Sequence, residues 1–197
     1  MHVLVVLAHP VPDSFAASVA ETLVSALEAG GHSVDLLDLY REGFEPSLTE
    51  TERRAYMQPG YDPVAVRGEV ARLQAADGLI LVFPQWWFNM PAILKGFIDR
   101  VFAPDIAFVH DPEGGRIRPG LTRLRFFWTV TSTGSPWWVV HLYMGNPLRR
   151  ILKRGVATFC GKGLSFRSLN LYDMDRATAE KRVRFLEKVR RAVSTLS

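Results

Sequence analysis

Apolar residues recur along this chain in two rhythms. Five short runs are dense in β-branched, leucyl and aromatic residues and too brief for helices: "HVLVVLA" (2–8), "HSVDLLDL" (32–39), "GLILVF" (78–83), "LRFFWTVTS" (124–132) and "GLSFRSLNL" (163–171). Between them apolar positions return every three or four residues. Phe15, Val19, Leu23 and Leu27 mark a helix over 14–29, ending at Gly30-Gly31. Ile93, Leu94, Phe97, Ile98 and Val101 mark one from about Pro91 to Phe102, with proline suited to its first turn. Ala179, Val183, Leu186, Val189 and Val193 mark a last one over 175–195, and shorter helices are predicted near 63–76 and from about Pro147 to Phe159. The third run is apolar at every position except its opening glycine, as a strand covered on both faces should be.

Strands alternating with helices predict an α/β fold: a doubly wound, five-stranded parallel sheet of flavodoxin-like order 2-1-3-4-5, with residues 1–197 forming a single domain. The least regular stretch, 41–62, reads as a long surface excursion, functional or an interface element.

In such sheets ligands sit beyond the carboxyl ends of the strands, where strand order reverses. Three turns qualify. After the first run, "AHPVPDSFAAS" leaves the strand at His9 and starts a helix near Asp13-Ser14, either of which can cap it. A helix start offers free N–H groups and a positive dipole end to a phosphate, and Ser14 and His9 can each add a bond; mere capping and turn-filling is the competing reading. Neither G-x-G-x-x-G nor G-x-x-x-x-G-K-[ST] is present.

After the third run comes "FPQWWFNMPAILKGF" (83–97), where Pro84, Gln85, Trp86, Trp87 and Phe88 stand where the chain should turn into water. Backbone N–H groups there suit the polar edge of an isoalloxazine, and the aromatic rings suit its face; a core corner or subunit contact is the alternative. After the fourth run, Thr131, Ser132, Thr133 and Gly134 offer hydroxyls and close backbone approach to the other side of the same ring, or form an ordinary hydroxyl-rich turn. His141 and Tyr143 are candidate proton donors to a reduced substrate oxygen.

The formal net charge of +4, with concentrations at "RRILKR" (149–154) and "KRVRF" (181–185), suits attraction of an anionic nicotinamide dinucleotide, or simply solvated helix faces. No nucleic-acid fold signature accompanies it, so no nucleic-acid partner is expected. No apolar stretch approaches the roughly 18 residues of a bilayer span, so an integral membrane protein is not expected. "MHVLVVLAHP" reads as a strand and not a signal peptide, and the single cysteine, Cys160, reads as a buried filler; together they favour the cytoplasm. The histidines at 2, 9, 32, 110 and 141 show no metal-ligand spacing, and no metal is expected.

"VLVVLAHPVPDSF" and "ADGLILVFPQWWFNMPAILKGFIDRVF" resemble the NAD(P)H:quinone oxidoreductase family, of DT-diaphorase type and flavodoxin-like fold. The resemblance implies bound FAD or FMN, NADPH or NADH as co-substrate, two-electron hydride transfer to a quinone-like acceptor, and a homodimer. It matches His9, Ser14 and Phe15 to a phosphate-side loop, Pro84 to Phe88 to the turn that grips the ring, and Ser132, Thr133 and Gly134 to its other edge. Two positions depart: Ala16 stands where an asparagine often follows the phenylalanine, and Ser135 where a second glycine is expected. Two other readings stay open. One is a one-electron carrier of flavodoxin type; the other is an ancillary subunit of a potassium efflux system, which would give the chain a peripheral membrane partner.

Overall fold

The computed structural model describes residues 1–58, 60–109, 117–161 and 163–196. The five runs become strands β1 (His2–Leu7), β2 (Ser33–Asp38), β3 (Gly78–Pro84), β4 (Phe126–Ser132) and β5 (Ser165–Leu171). All four pairings are parallel and the order is β2-β1-β3-β4-β5, as the alternation of strands and helices predicts. Among the described residues six α-helices follow in chain order: α1 (Phe15–Ala29), α2 (Glu50–Ala55), α3 (Arg67–Ala75), α4 (Ala92–Val101), α5 (Pro147–Arg150) and α6 (Ala179–Val193).

Side chains of a strand alternate between faces, and both faces here are covered. Val3, Val5 and Leu7 of β1 pack with Leu23 and Leu27 of α1 and with Phe185 and Val189 of α6. Leu4 and Val6 turn the other way, into a core shared with Leu73 of α3, Leu94 and Phe97 of α4, and Leu148 of α5. The central strands β1, β3 and β4 are therefore buried almost end to end, whereas β2 and β5 at the edges are partly exposed. Each fully buried leucine or phenylalanine in these layers contributes about 1.5–3 kcal/mol.

Several elements differ from the sequence expectation. The run from Pro147 to Phe159 is helical but not uniform: α5 widens into π-type turns over Ile151–Val156 and tightens over Ala157–Phe159. A π-type turn also forms at Val139–Tyr143. A short antiparallel pair, Phe108–Val109 with Arg118–Pro119, was not predicted, because two residues carry no periodicity.

The 41–62 excursion is anchored rather than loose. Thr49 and Glu52 form a reciprocal capping box at the start of α2, with Glu52 Oε2 accepting from Thr49 N–H at 2.8 Å. Arg100 of α4, almost fully buried, donates to Glu52 Oε1 at 2.5 Å and to the Glu45 carbonyl, and lies 5.8 Å from the Phe44 ring centroid. Burial pushes the Glu52 carboxyl up, but the hydrogen bonds from Arg100 and Thr49 outweigh it and hold the group below the usual carboxylate range. Gly96 permits the close fit: a Cβ there would lie 2.3 Å from the Pro46 Cβ and carbonyl oxygen.

Candidate functional site

The carboxyl ends of β1, β3, β4 and β5 are stitched into one rim. Ala8 N–H donates to Val82 O at 2.9 Å, Gln85 N–H to Ser132 O at 2.7 Å, and Thr133 N–H to Leu171 O at 2.9 Å. Each bond continues the sheet register by one residue, so the exits lie side by side. Between them opens a cavity of about 310 Å³ lined by Pro84, Gln85, Trp86, Trp87, Ser132, Thr133, Gly134, Met174 and Asp175. That volume sits at the small end of the roughly 300–1,000 Å³ typical of ligand sites.

The aromatic turn is strained. Trp86 and Asn89 exchange both backbone hydrogen bonds at 3.0 Å, closing a two-residue hairpin with Trp87 and Phe88 at its tip. Both tip residues have positive φ, 52° and 58°. Such tips favour glycine and asparagine, and bulky side chains there cost about 1–2 kcal/mol each. The strain is not offset by burial at Trp87, whose residue is 95% exposed. Strain held in place by rigid surroundings is a mark of functional turns. The Trp87, Phe88 and Gly134 amides have no acceptor among the described residues.

On the phosphate side, Ser14 is the residue that caps α1: its Oγ accepts from Ala17 N–H at 3.2 Å. Asp13 is exposed and leaves the capping to Ser14. The first-turn amides of Phe15 and Ala16 have no intrahelical acceptor by helix geometry. Phe15 and Ser132 border the same small gap beside β3 and β4, so α1 begins next to the exit of β4. His9 lies with its ring centroid 6.2 Å from that of Trp86. Its Nδ1 accepts from Val11 N–H at 3.0 Å, which leaves the proton of the neutral ring on Nε2 as a free donor. The Val11 carbonyl is 3.2 Å from the same Nδ1, a contact that accepting role leaves unbonded.

The structure thus brings Pro84, Gln85, Trp86, Trp87, Ser132, Thr133 and Gly134 around one cavity, with His9 near the Trp86 ring and Phe15 in a neighbouring gap that shares Ser132; Ser14 does not line the cavity. Phe88 is half-buried behind the turn and does not line the cavity. Thr131 is buried, and its hydroxyl bonds to neighbouring side chains instead of facing the cavity. His141 and Tyr143 are not brought together: His141 Nε2 is 2.7 Å from Tyr172 OH and its ring stacks on Trp137 at 4.8 Å, whereas Tyr143 is 81% exposed. Burial pushes the Tyr172 phenol above its ordinary range, partly offset by the hydrogen bond from Asn170. Met174 and Asp175 were missed by the sequence reading; the rule that selects strand exits applies to β5 as well and would have found them.

Cys160 is buried, and burial pushes its thiol up to about 12. Among the described residues, no cluster of His, Cys, Asp and Glu could hold a metal ion, and no helix is long and apolar enough to cross a membrane. His110 lies outside the described residues.

A family model described as flavodoxin-like fold matches residues 1–193. The chain is 38% identical over 118 residues to a ribosyldihydronicotinamide dehydrogenase-like protein of Penicillium crustosum, covering 52% of this chain but only 44% of that protein's length. It is 35% identical over 183 residues to the ribosyldihydronicotinamide dehydrogenase [quinone] of Pongo abelii, covering 81% of this chain and 76% of that one. Among solved structures it is similar to an NAD(P)H:quinone oxidoreductase from Methanothermobacter marburgensis, with a TM-score of 0.85 and 25% identity over 100% of this chain and 96% of the other.

Proposed function

The chain belongs to the flavodoxin-like fold family, among its NAD(P)H quinone oxidoreductase-like members, and from that membership we propose that it is a flavin-dependent NAD(P)H dehydrogenase acting on quinone-like acceptors. The observation that carries the proposal is the convergence at one cavity of separate strand exits with unpaired amides at Trp87 and Gly134. Those amides fit a ligand with a polar ring edge, and the start of α1 fits its phosphate. Bound there, FAD or FMN would take a hydride from NADPH or NADH and pass two electrons to the acceptor.

The chain's own residues position and shield. Trp86 and Trp87 offer flat apolar surface over the cavity, and the proline-flanked hairpin holds its amides without a search through conformations. Ser132, Thr133 and Gly134 present polar groups from the opposite side. His9 Nε2 offers a donor on the β1 side. For the proton taken up by a reduced acceptor oxygen, His141 is better held than Tyr143, because Tyr172 orients its ring. Between Gly134 and Leu171 there is no aspartate or glutamate, and Arg149, Arg150, Lys153 and Arg154 are exposed, a field that draws an anionic dinucleotide.

The proposal includes a homodimer. Trp137, Trp138, Leu142 and Tyr143, in the segment that follows Gly134, are 51%, 58%, 72% and 81% exposed, apolar surface that a second copy would cover.

The experiment is direct. The purified protein, incubated with FMN and with FAD, should retain a yellow cofactor whose mass identifies it after heat release. With NADPH or NADH and menadione it should oxidise the nicotinamide steadily. Failure to retain either flavin removes the site; flavin retention without nicotinamide oxidation leaves a carrier or a regulatory subunit. Sedimentation velocity reads the oligomeric state independently.

A further inference from the structure

A continuous line of polar side chains runs from the cavity wall to His141. Gln85, only 8% exposed, donates from Nε2 to Thr131 Oγ1 at 2.8 Å. Thr131 Oγ1 donates to Asn170 Oδ1 at 2.6 Å, and Asn170 Nδ2 donates to Tyr172 OH at 2.9 Å. Tyr172 OH lies 2.7 Å from His141 Nε2. A side branch joins Asn170 Oδ1 to Ser168 Oγ at 3.2 Å and Ser168 Oγ to Thr129 Oγ1 at 3.0 Å.

Such a chain has a direction. A hydroxyl has one proton to give, and a carboxamide donates at one end and accepts at the other. Tyr172 accepts from Asn170, so its own proton goes to His141 Nε2, which must then be the unprotonated nitrogen. At the far end, Gln85 spends its N–H on Thr131, and its carbonyl Oε1 is the end left for the cavity. The opposite direction satisfies the main line equally well, at the cost of the side branch, where Ser168 can no longer donate to Asn170. If His141 carries a proton on Nε2 and donates it to Tyr172, the phenol donates to Asn170 Oδ1. Asn170 Nδ2 then donates to Thr131 and Ser168, Thr131 donates to Gln85 Oε1, and the Gln85 N–H₂ faces the cavity. A mixed state, with His141 and Asn170 both donating to Tyr172, strands the phenol proton in a half-buried place, so the members switch together.

We propose that Gln85 is a positioning residue whose exposed amide end is set by the protonation of His141 through Thr131, Asn170 and Tyr172, so that the cavity wall offers an acceptor when neutral His141 carries its proton on Nδ1 and a donor when His141 is protonated. A wall acceptor favours a ring N–H of the ligand, and a wall donor favours an oxygen or nitrogen that gains negative charge on reduction. The inference rests on the reductase reading only for that consequence; the coupling belongs to the protein alone. Burial keeps Tyr172 a neutral phenol, able to relay hydrogen-bond direction without ionising. Other charged groups touch these elements at Lys181 of α6, whose Nζ donates to the Tyr172 carbonyl at 2.8 Å, and at Asp173 and Asp175 in the turn that follows, Asp175 lining the cavity.

The test is side-chain amide NMR on the full chain without flavin, between about pH 5 and 8, where imidazoles commonly titrate. The chain has three glutamines, Gln58, Gln74 and Gln85, so ¹⁵N-glutamine labelling gives three amide signals, assigned by substitution. The Gln85 signal should shift with the same midpoint as the His141 ring, and those of Gln58 and Gln74 should not. In Tyr172→Phe and in Thr131→Val the His141 ring should still titrate while the Gln85 shift is lost; if one variant does not fold, the other decides. A flat Gln85 signal in the unaltered protein, or one that still tracks His141 in a folded variant, overturns the proposal. Flavin retention with a flat Gln85 signal defeats this inference alone, and coupling without flavin retention defeats the reductase reading alone.

Discussion

Trp87 should be a residue whose removal helps folding and harms binding. Its φ is 52° and it is 95% exposed, so the folded state carries the left-handed strain and recovers little from burial. Trp87→Gly removes a strain of about 1–2 kcal/mol. The glycine returns roughly 0.5–1 kcal/mol of that to the greater freedom of the unfolded chain. Trp87→Ala keeps both the strain and the exposure. The glycine variant should therefore be more stable than the alanine variant by about 0.5–1 kcal/mol, a rise in melting temperature of roughly 1–4 °C for a chain of this size. Urea unfolding of the flavin-free protein checks this through the midpoint at unchanged m-value. Both variants lose the ring proposed to lie against a flat ligand, and aromatic stacking on a planar heterocycle is worth about 1–3 kcal/mol. Flavin affinity measured by fluorescence quenching should fall roughly 5- to 150-fold in both. An alanine variant as stable as the glycine variant would refute the strain argument, and unchanged flavin affinity would refute the placement of the ring.

Gly96→Ala drives a methyl group against Pro46, and despite the better helix propensity of alanine it should destabilise by about 1–3 kcal/mol, with faster proteolysis within 47–62 as the second readout. The Glu52 carboxyl is held below its unfolded value, so its ion pair with Arg100 stabilises above the unfolded pKa and is lost as pH falls through the folded one. Glu52→Gln should accordingly flatten the acid limb of the stability–pH curve, and an unaltered acid limb would show the pair to be silent. Cys160, buried and with its thiol pushed up to about 12, should resist iodoacetamide at neutral pH until the protein is unfolded in urea; rapid labelling of the folded protein would contradict its burial.

The apolar rhythm of the chain was enough for the layers. "HVLVVLA" and "GLILVF" have apolar side chains for both faces, so they had to be central strands, and their ends had to form the rim where a ligand sits. Local chemistry sufficed for a cap at Asp13 or Ser14 and for the proline-flanked turn, because capping and turn preference act over a few residues, and the structure gives the cap to Ser14. Tertiary structure decided the rest. Thr129 and Thr131 recur with period two, as do Ser168 and Asn170, yet only the parallel register that sets Thr129 opposite Ser168 and Thr131 opposite Asn170 makes them partners. Nothing local encodes that register, since it follows from burying both strands against α1 and α6 at once. The same holds for the clamp of Arg100 on Glu52 and the seat of His141 on Tyr172, which join residues 48 and 31 positions apart through the packing of whole elements.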